Sequence, residues 1–170
     1  GNEDLDGFFH NDAVSYAENL FGKSYCYYLE ESKADIVCAF TVSNASIFTK
    51  YLPNARKKKV GKHVPHIKQD LIYPAVLIGR LGISTKFQHL HIGTEVIDFI
   101  KSWFVEPYNK TGCRYLVVDA YNEDVPVAFY KKNGFDFMFS TEEQEKSYRG
   151  IVSDKPLKTR LMYFDLILIK

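Results

Sequence analysis

The sequence has few of the features that cross-link a small protein or anchor it in a membrane. It holds three cysteines, Cys26, Cys38 and Cys113, an odd number without a Cys-x-x-Cys pair, which argues against a disulfide framework or a zinc site. These residues are expected to be reduced, partly buried thiols of a cytoplasmic protein. No run of 18 apolar residues is present, so no membrane span is expected.

An excess of one charge sign is also missing from the chain as a whole. With 22 basic and 21 acidic residues, the formal net charge is +1, which argues against a uniformly basic nucleic-acid coat but allows a local basic patch. The hydrophobic fraction of 46% and the charged fraction of 25% are ordinary for a globular protein. A chain of 170 residues fits one domain over residues 1–170, which buries roughly 70% of its unfolded surface.

Apolar periodicity and turn residues predict the elements along the chain. A helical segment over 3–21 precedes a hairpin of strands 25–30 and 36–42, and residues 43–73 are expected to form a loop or a short helix and loop. A buried strand over 75–83 leads through a loop to a helix over 92–104. The remainder predicts a strand at 115–120, a helix at 125–132, strands at 135–139 and 161–169, and a mobile surface connection at 141–158.

This order of elements predicts an α/β (α+β) fold. Strands 75–83 and 115–120 are joined through a helix, so they should be parallel neighbours in a right-handed unit. The first hairpin and the last strand pair should be antiparallel. We therefore expect a mixed central sheet of about six or seven strands flanked by helices.

Two local features are candidates for chemistry. The loop between strand 75–83 and the next helix presents backbone amides at a helix N-terminus, which suits a pyrophosphate, although every β-α junction has some of this character. Tyr130 follows Phe129 in the helix at 125–132. Its hydroxyl can serve as a general acid, or Tyr130 is a core aromatic residue whose hydroxyl lies at the rim of the core. Each feature alone leaves both interpretations open.

Together, at this spacing, the two features resemble the GNAT superfamily of N-acetyltransferases, most closely over residues 74–139. The family's pyrophosphate loop, Gln/Arg-x-x-Gly-x-Gly/Ala, corresponds to Gln88-His89-Leu90-His91-Ile92-Gly93. Its later signature of an Asn and a Phe-Tyr to Gly-Phe run corresponds to Asn122 and the segment from Phe129-Tyr130 to Gly134-Phe135.

The resemblance implies acetyl transfer from acetyl-CoA to a primary amine by direct attack, with no metal. It assigns the backbone of Leu81, Gly82 and Ile83 to the pantetheine arm. It assigns Asn122 to the pantetheine or a water molecule, and Tyr130 to protonating the CoA thiolate. The cofactor-binding set also contains Phe129 and the loop residues Gln88, His89, Leu90, His91, Ile92, Gly93 and Thr94.

The loop departs from the family pattern at one position that matters for phosphate binding. His91 stands where the family has its first glycine, and Leu90 precedes it. A β-carbon there crowds the ligand or demands a strained backbone, whereas a protonated imidazole adds a charge-assisted contact to phosphate. The alternative hypothesis is therefore a non-catalytic or degenerate GNAT-fold module that binds CoA or a partner protein.

A narrower resemblance is to the toxin-type GNAT proteins of bacterial toxin–antitoxin pairs. It rests on residues 2–9, on Ile78-Gly79-Arg80-Leu81 and on Val118-Asp119-Ala120. It implies the α-amine of aminoacyl-tRNA as acceptor and an antitoxin as partner. The resemblance to the wider GNAT family adds the expectation of a homodimer. The segment from Arg56 to Lys68 is free of acids and suits tRNA phosphates, or it is simply a solvated loop; its candidate contacts are Arg56, Lys57, Lys58, Lys59 and Lys62.

Two further observations bear on the chemistry. Strand 75–83 holds no Asp or Glu to act as general base, which favours an α-amine of pKa near 8 over a lysine amine of pKa about 10.4. The pairs His63/His66 and His89/His91 lack nearby acids or cysteines, so we expect solvated or phosphate-facing histidines rather than a metal site.

Overall fold

A computed structural model of the chain describes residues 2–65 and 72–170. The helices are α1 (Glu3–Gly7), α2 (Ala13–Glu18), α3 (Asn54–Val60), α4 (Ile92–Val105), α5 (Asp124–Lys132) and α6 (Glu142–Arg149). The strands are β1 (Lys23–Leu29), β2 (Ser32–Phe48), β3 (Ile72–Ile83), β4 (Tyr115–Tyr121), β5 (Asp136–Phe137) and β6 (Thr159–Asp165).

The strands of the described residues form one six-stranded sheet in the order β1-β2-β3-β4-β6-β5. β1 pairs with β2, β4 with β6, and β5 with β6, in each case antiparallel. The predicted hairpin is confirmed, as is the prediction that the strands on either side of α4 are neighbours. The mixed sheet flanked by helices confirms the predicted fold class.

The chain divides into two compact units. Unit 1 comprises Gly1–Asn44 and Leu77–Trp103, and unit 2 comprises Ala45–Val76 and Phe104–Lys170. The prediction of one domain over residues 1–170 stays a prediction.

Unit 1 begins with a helical segment that has an unusual turn in its middle. Asn2 caps α1 by accepting hydrogen bonds from the N–H groups of Asp4 and Leu5. A π-helical turn, Phe8–Asp12, then separates α1 from α2. Such turns occur frequently at functional sites, because the extra residue redirects side chains. The predicted helical segment is confirmed, although it ends at Glu18 rather than at residue 21.

The core of unit 1 is built largely from rings. Phe40 on β2 is fully buried and stacks on Tyr25 of β1 with ring centroids 5.4 Å apart. Tyr25 in turn meets the edge of Trp103 of α4 at 5.0 Å. Ile97 and Ile100 of α4 are also fully buried, which confirms the apolar face that helical periodicity predicts.

The core of unit 2 centres on β4, in which Tyr115 to Val118 are all buried. The Tyr115 hydroxyl donates to the Val60 carbonyl at 2.8 Å, which ties the end of α3 to β4. Burial raises the pKa of this tyrosine, so it stays a neutral hydrogen-bond donor. Arg114 and Asp165 pair at 2.7 Å at the edge of this core.

Three predicted boundaries are wrong. β2 runs on to Phe48, because Ala45 and Ile47 point inward while Asn44 and Ser46 face out; the low β-propensity of Asn, Ser and Ala hides this alternation. The strand predicted at 135–139 is reduced to Asp136–Phe137. The last strand, predicted at 161–169, ends at Asp165, whose side chain caps a 3₁₀ turn over Leu166–Ile169.

The prediction that residues 141–158 form a mobile surface connection is also wrong, because this segment contains the helix α6. Thr141 caps this helix by accepting from the Gln144 N–H at 3.3 Å. Gly150 ends it with a φ of 67°. The fold of this segment places a wholly buried carboxylate, Glu145, inside unit 2.

Candidate functional site

The predicted strand and loop residues lie together in unit 1. Leu81, Gly82 and Ile83 end β3, and residues 84–91 then lead directly into α4 at Ile92. The Gln88 side chain donates back to the Ile83 carbonyl at 3.4 Å, which closes the loop on the strand end. This is the strand, loop and helix arrangement that the sequence predicts for a pyrophosphate site.

The backbone of this loop takes a left-handed conformation at two histidines. φ is 64° at His89 and 61° at His91. Residues with a β-carbon rarely adopt this region, which costs roughly 1 kcal/mol per residue relative to glycine. His91 therefore combines a β-carbon with a left-handed backbone at the position where the family pattern has glycine. Of the two consequences considered for a β-carbon here, the structure shows the backbone strain.

The start of α4 offers unbonded backbone donors. The carbonyl of His91 accepts from the N–H of Thr94 at 2.9 Å and of Glu95 at 3.3 Å, so helical hydrogen bonding begins there. Among the described residues, the N–H groups of Ile92 and Gly93 precede these bonds and have no backbone acceptor. The side chains of residues 88–91 are exposed, so an anion can reach these amides from solvent.

The N-terminal segment covers one face of β3. A β-carbon added to Gly82 would lie 3.5 Å from the Leu5 side chain and 3.9 Å from Phe9. The Arg80 guanidinium sits 4.8 Å from the Phe8 ring centroid, and its Nε lies 4.0 Å from an Asp4 carboxylate oxygen. The structure thus brings together, within unit 1, two of the segments on which the toxin-type resemblance rests.

Tyr130 lies on α5 in unit 2, among rings. Its ring centroid is 5.1 Å from that of Phe129 and 5.4 Å from that of Phe135. Burial raises the pKa of Tyr130 to about 12, and the hydroxyl has no hydrogen-bond partner among the described residues. At neutral pH it is therefore a neutral phenol whose proton is not committed to another protein group.

Asn122 follows β4 in unit 2, and its side chain already has protein partners. The amide NH₂ donates to Glu142 and to the Leu157 carbonyl, each at 2.9 Å. Glu142 also accepts from the Leu157 N–H at 2.8 Å, and these two hydrogen bonds lower its pKa. The Asn122 amide NH₂ therefore anchors the connection before β6, which leaves the side-chain oxygen for a ligand or water.

Sequence reasoning missed a buried charge cluster in unit 2. Glu145 is fully buried and accepts from Arg149 at 2.6 Å, from Arg160 at 2.8 Å and from the Leu161 N–H at 2.7 Å. Arg149 also donates to both carboxylate oxygens of Asp119, at 2.7 and 3.3 Å. The signal that could have revealed the helix carrying it is the Thr-x-x-Gln of a capping box at 141–144.

The predicted basic stretch separates into two groups in the structure. Arg56 donates to the carbonyls of Phe137 and Met138, and Lys59 pairs with Asp136 at 2.9 Å. Both side chains therefore hold α3 in place. Three lysines have no ion pair among the described residues: Lys57, Lys58 and Lys62. His66 and Lys68, which belong to the same predictions, lie outside the described residues.

The cysteines, metal-ligating side chains and apolar helices were also considered in the sequence. Cys26 is exposed, Cys38 is buried, and burial raises the pKa of Cys113 to about 11. Within residues 2–65 and 72–170, no three His, Cys, Asp or Glu side chains are grouped closely enough to hold a metal ion. None of the helices in that part of the chain combines the length and apolar character needed to cross a membrane.

No protein-family model and no curated protein sequence matches the chain. Solved structures match it in shape. A structure of AtaT complexed with acetyl-methionyl-tRNAfMet has a TM-score of 0.71 at 19% identity, covering 99% of this chain and 85% of that one. A tyrosine-to-phenylalanine mutant of KacT has a TM-score of 0.66 at 18% identity, covering 99% and 85%.

A third structure is a tyrosine-to-phenylalanine mutant of the AtaT toxin bound to acetyl-CoA and the C-terminus of the antitoxin AtaR. Its TM-score is 0.60 at 18% identity, covering 99% of this chain and 83% of that one. Identities this low establish the fold alone. The fold is the one that the resemblance of residues 74–139 implied: the chain has the GNAT fold, which it shares with AtaT and KacT.

Proposed function

We propose that the chain is an acetyl-CoA-dependent N-acetyltransferase that acetylates a primary amine. The observation that carries this proposal is the strand, loop and helix of unit 1 within a GNAT fold, because the N–H groups of Ile92 and Gly93 have no backbone acceptor among the described residues and can bind an anion. A structure of the same fold is bound to acetyl-CoA, which supports the choice of acetyl donor.

The predicted site residues then take separate tasks. Asn122 binds the pantetheine or a water molecule through its side-chain oxygen, because its NH₂ is already engaged. The backbone of Leu81, Gly82 and Ile83 pairs with the pantetheine arm. The amides of residues 89–93 receive the pyrophosphate, and Gln88 holds their loop to the strand end. The predicted Thr94 amide is not available for this task, because it donates to the His91 carbonyl at 2.9 Å. Phe129 packs beside Tyr130.

The reaction is a direct acyl transfer. The amine nitrogen attacks the acetyl carbonyl carbon, a C–N bond forms and the C–S bond to CoA breaks. The Tyr130 hydroxyl donates a hydrogen bond to the developing thiolate and passes its proton to the sulfur. The proton lost by the attacking nitrogen leaves through solvent, and solvent returns a proton to the Tyr130 phenolate. Because burial raises its pKa, Tyr130 still carries its proton at neutral pH and has one to donate.

The acceptor we propose is the α-amine of an aminoacyl-tRNA. β3 carries no Asp or Glu, and an α-amine with a pKa near 8 needs less help from a base than a lysine amine. One structure with this fold, AtaT, is complexed with acetyl-methionyl-tRNAfMet. The lysines of α3 without ion pairs, Lys57 and Lys58, together with Lys62 beyond it, would contact tRNA phosphates.

The proposal extends to the setting of the reaction. An antitoxin-like protein is the proposed partner, since AtaT is seen bound to the C-terminus of AtaR. The proposed location is the bacterial cytoplasm, where acetyl-CoA and aminoacyl-tRNA meet. The expected homodimer stays a prediction that light scattering of the purified protein would test.

The first experiment is isothermal titration of the purified protein with acetyl-CoA and with CoA. Micromolar binding is expected for an enzyme of this type. Absence of binding up to millimolar concentration would contradict the proposed cosubstrate.

Tyr130→Phe tests the mechanism. The ring contacts of Tyr130 do not need its hydroxyl, so folding and acetyl-CoA affinity should be unchanged. Turnover should fall by about 10²–10⁴-fold, the usual contribution of a general acid. Tyr108→Phe is the matched control, because Tyr108 is 94% exposed and should leave turnover unchanged. An unaltered rate in Tyr130→Phe would remove Tyr130 from the mechanism.

A second candidate function is favoured by the same loop. The β-carbons of Leu90 and His91 stand in a loop that the family pattern builds around glycine, and this favours a GNAT-fold module that binds a partner protein or CoA without efficient transfer. His91→Gly separates the two functions. CoA binding that is absent in the natural protein and restored in the variant would show that His91 blocks the site.

A further inference from the structure

Unit 2 carries a cleft that the proposed reaction does not use. It measures about 580 Å³, within the range of about 300–1,000 Å³ typical of small-ligand sites. One wall is the segment Tyr51–Pro53 that precedes α3, and the other is the Glu143–Tyr148 face of α6. Both walls lie in unit 2.

The cleft is lined by two tyrosine rings, of which one is exposed to solvent and the other packs against the core. Tyr51 is 62% exposed, a large solvent-facing ring. Tyr148 lies 6.5 Å from it, and its ring packs at 4.9 Å against Phe139, which is fully buried. An open ring beside an anchored ring offers a stacking platform for a flat ligand.

The walls are held in place before any ligand binds. Arg56 fixes the start of α3 through the carbonyls of Phe137 and Met138. Glu145 fixes α6 through Arg149 and Arg160. A preformed cleft does not have to be ordered on binding, which favours affinity.

The polar groups of the cleft suit a nucleobase better than a phosphate. The Glu143 carboxylate repels phosphate, but it can accept hydrogen bonds from an exocyclic amino group. The Gln144 side-chain oxygen accepts from the Ser140 N–H at 3.2 Å, which leaves its NH₂ to donate. A carboxylate and an amide donor together can recognise the donor and acceptor edge of cytosine or adenine.

The charge beside the cleft suits the backbone of the same ligand. In the sequence, residues 36–69 contain seven Lys or Arg and no Asp or Glu. Six of the seven lie in the described part of the chain, and two of these, Arg56 and Lys59, are engaged within unit 2. The Lys50 ammonium lies 5.8 Å from the Tyr51 ring centroid, and α3 with Lys57 and Lys58 follows Pro53 directly. Cations beside an aromatic cleft are the arrangement that binds single-stranded nucleic acid.

We propose that this cleft binds one unpaired, amino-bearing base of an RNA strand, stacked on Tyr51, while Lys50, Lys57 and Lys58 contact the adjoining phosphates. The inference rests on the RNA partner of the proposed function and adds a binding site remote in sequence from the loop at residues 88–94. It assigns a role to the exposed tyrosine and to the acid-free segment.

The test measures binding of labelled single-stranded ribonucleotide hexamers, of cytidine, adenosine or uridine, by fluorescence anisotropy. Tyr51→Ala should weaken binding of the cytidine and adenosine hexamers by about tenfold, the scale of one lost stacked base, and Tyr51→Trp should retain it. Tyr108→Ala, which removes another exposed tyrosine outside the cleft, is the matched control and should bind as the natural protein does.

Two more variants separate the base from the backbone. Glu143→Gln should reduce the preference for cytidine over uridine. Lys58→Gln should weaken all hexamers alike and lower the slope of log affinity against log salt by about 0.7, the value for one phosphate contact on a single strand. A stem-only duplex RNA should be indifferent to Tyr51→Ala.

The proposal is overturned if the natural protein binds no hexamer at low salt, or if Tyr51→Ala and Tyr108→Ala bind alike. Titration of the same proteins with acetyl-CoA keeps the two proposals apart. If the protein binds acetyl-CoA but Tyr51→Ala does not change its affinity for the hexamers, the base-binding cleft is rejected and the proposed acetyltransferase function is retained. If hexamer binding depends on Tyr51 but the protein does not bind acetyl-CoA, the cleft is retained and the proposed acetyltransferase function is rejected.

Discussion

Two connections in this protein, one in each unit, differ in length, in exposure and in what holds them in place. The short one, residues 84–91, joins β3 to α4, exposes the side chains of residues 88–91 and holds His89 and His91 in a left-handed backbone. The long one, residues 138–158, joins β5 to β6 and buries Glu145 completely between two arginines.

The comparison shows that length and charge are poor guides to order in a connection. The long connection is charged, yet its central carboxylate is desolvated and fully paired, so it is fixed. The short connection stores backbone strain where the proposed ligand binds. Strain of this kind persists only where the surrounding structure enforces it, and it clusters at functional sites.

The largest effect is expected from breaking the long connection. Glu145→Ala leaves Arg160 buried without its carboxylate, and removing one partner of a buried ion pair costs about 3–5 kcal/mol. Chemical denaturation should therefore give a markedly lower free energy of unfolding. Glu143→Gln is the control, because Glu143 lies two residues away on the exposed side of α6 and should change stability little. Equal stability of the two variants would show that α6 is not fixed by its buried charge.

A smaller effect of opposite sign is expected in the short connection. His91→Gly relieves a left-handed residue with a β-carbon, and we expect the folded protein to gain about 0.5–1 kcal/mol after the extra freedom of glycine in the unfolded chain is counted. Leu90→Gly is the neighbouring control: Leu90 has no positive φ, so the same change should destabilise. Thermal unfolding of both variants measures the difference, and a destabilised His91→Gly would contradict strain at His91.

The smallest effect is expected on the pH dependence of stability. It concerns the tether of the long connection, by which we mean the hydrogen bonds from Asn122 and the Leu157 N–H to Glu142. Hydrogen bonds from the Leu157 N–H and from Asn122 lower the pKa of Glu142 below its ordinary value. The stability they contribute is present above that ordinary value of about 4.5 and is lost as the pH falls through the lowered pKa. Glu142→Gln should therefore be less stable than the natural protein near neutral pH, and the two should converge on acidification. Parallel curves down to pH 3 would exclude this tether.

Local patterns predicted the short connection well and the long one badly. The loop residues 88–93 form one contiguous pattern between a buried strand and an amphipathic helix, so the sequence predicted its place. Backbone strain at His91 was one of the consequences that the sequence left open. The long connection depends on Arg160 and Asp119, which lie 15 residues after Glu145 and 30 residues before Arg149. No periodicity within residues 141–158 encodes partners at that separation.

The same distinction applies to the basic stretch. Its composition predicted that the segment from Arg56 to Lys68 either contacts tRNA phosphates or is a solvated loop. The structure separates it because Arg56 meets carbonyls more than 80 residues away in the chain. Backbone carbonyls have no sequence signature, so which cations face solvent could be learned only from the fold. The cleft beside Tyr51 escaped prediction for the same reason, since its walls are distant in sequence.

The acid-free segment 36–69 has a consequence for how the molecule behaves in solution. With an isoelectric point near 7.8, the protein looks almost neutral to a distant probe. Within a Debye length, about 8 Å at physiological salt, an approaching polyanion instead meets Lys57 and Lys58 of α3, which have no ion pair among the described residues. Encounter rates with such a polymer should fall steeply with ionic strength, although the overall charge of +1 gives no hint of electrostatic steering.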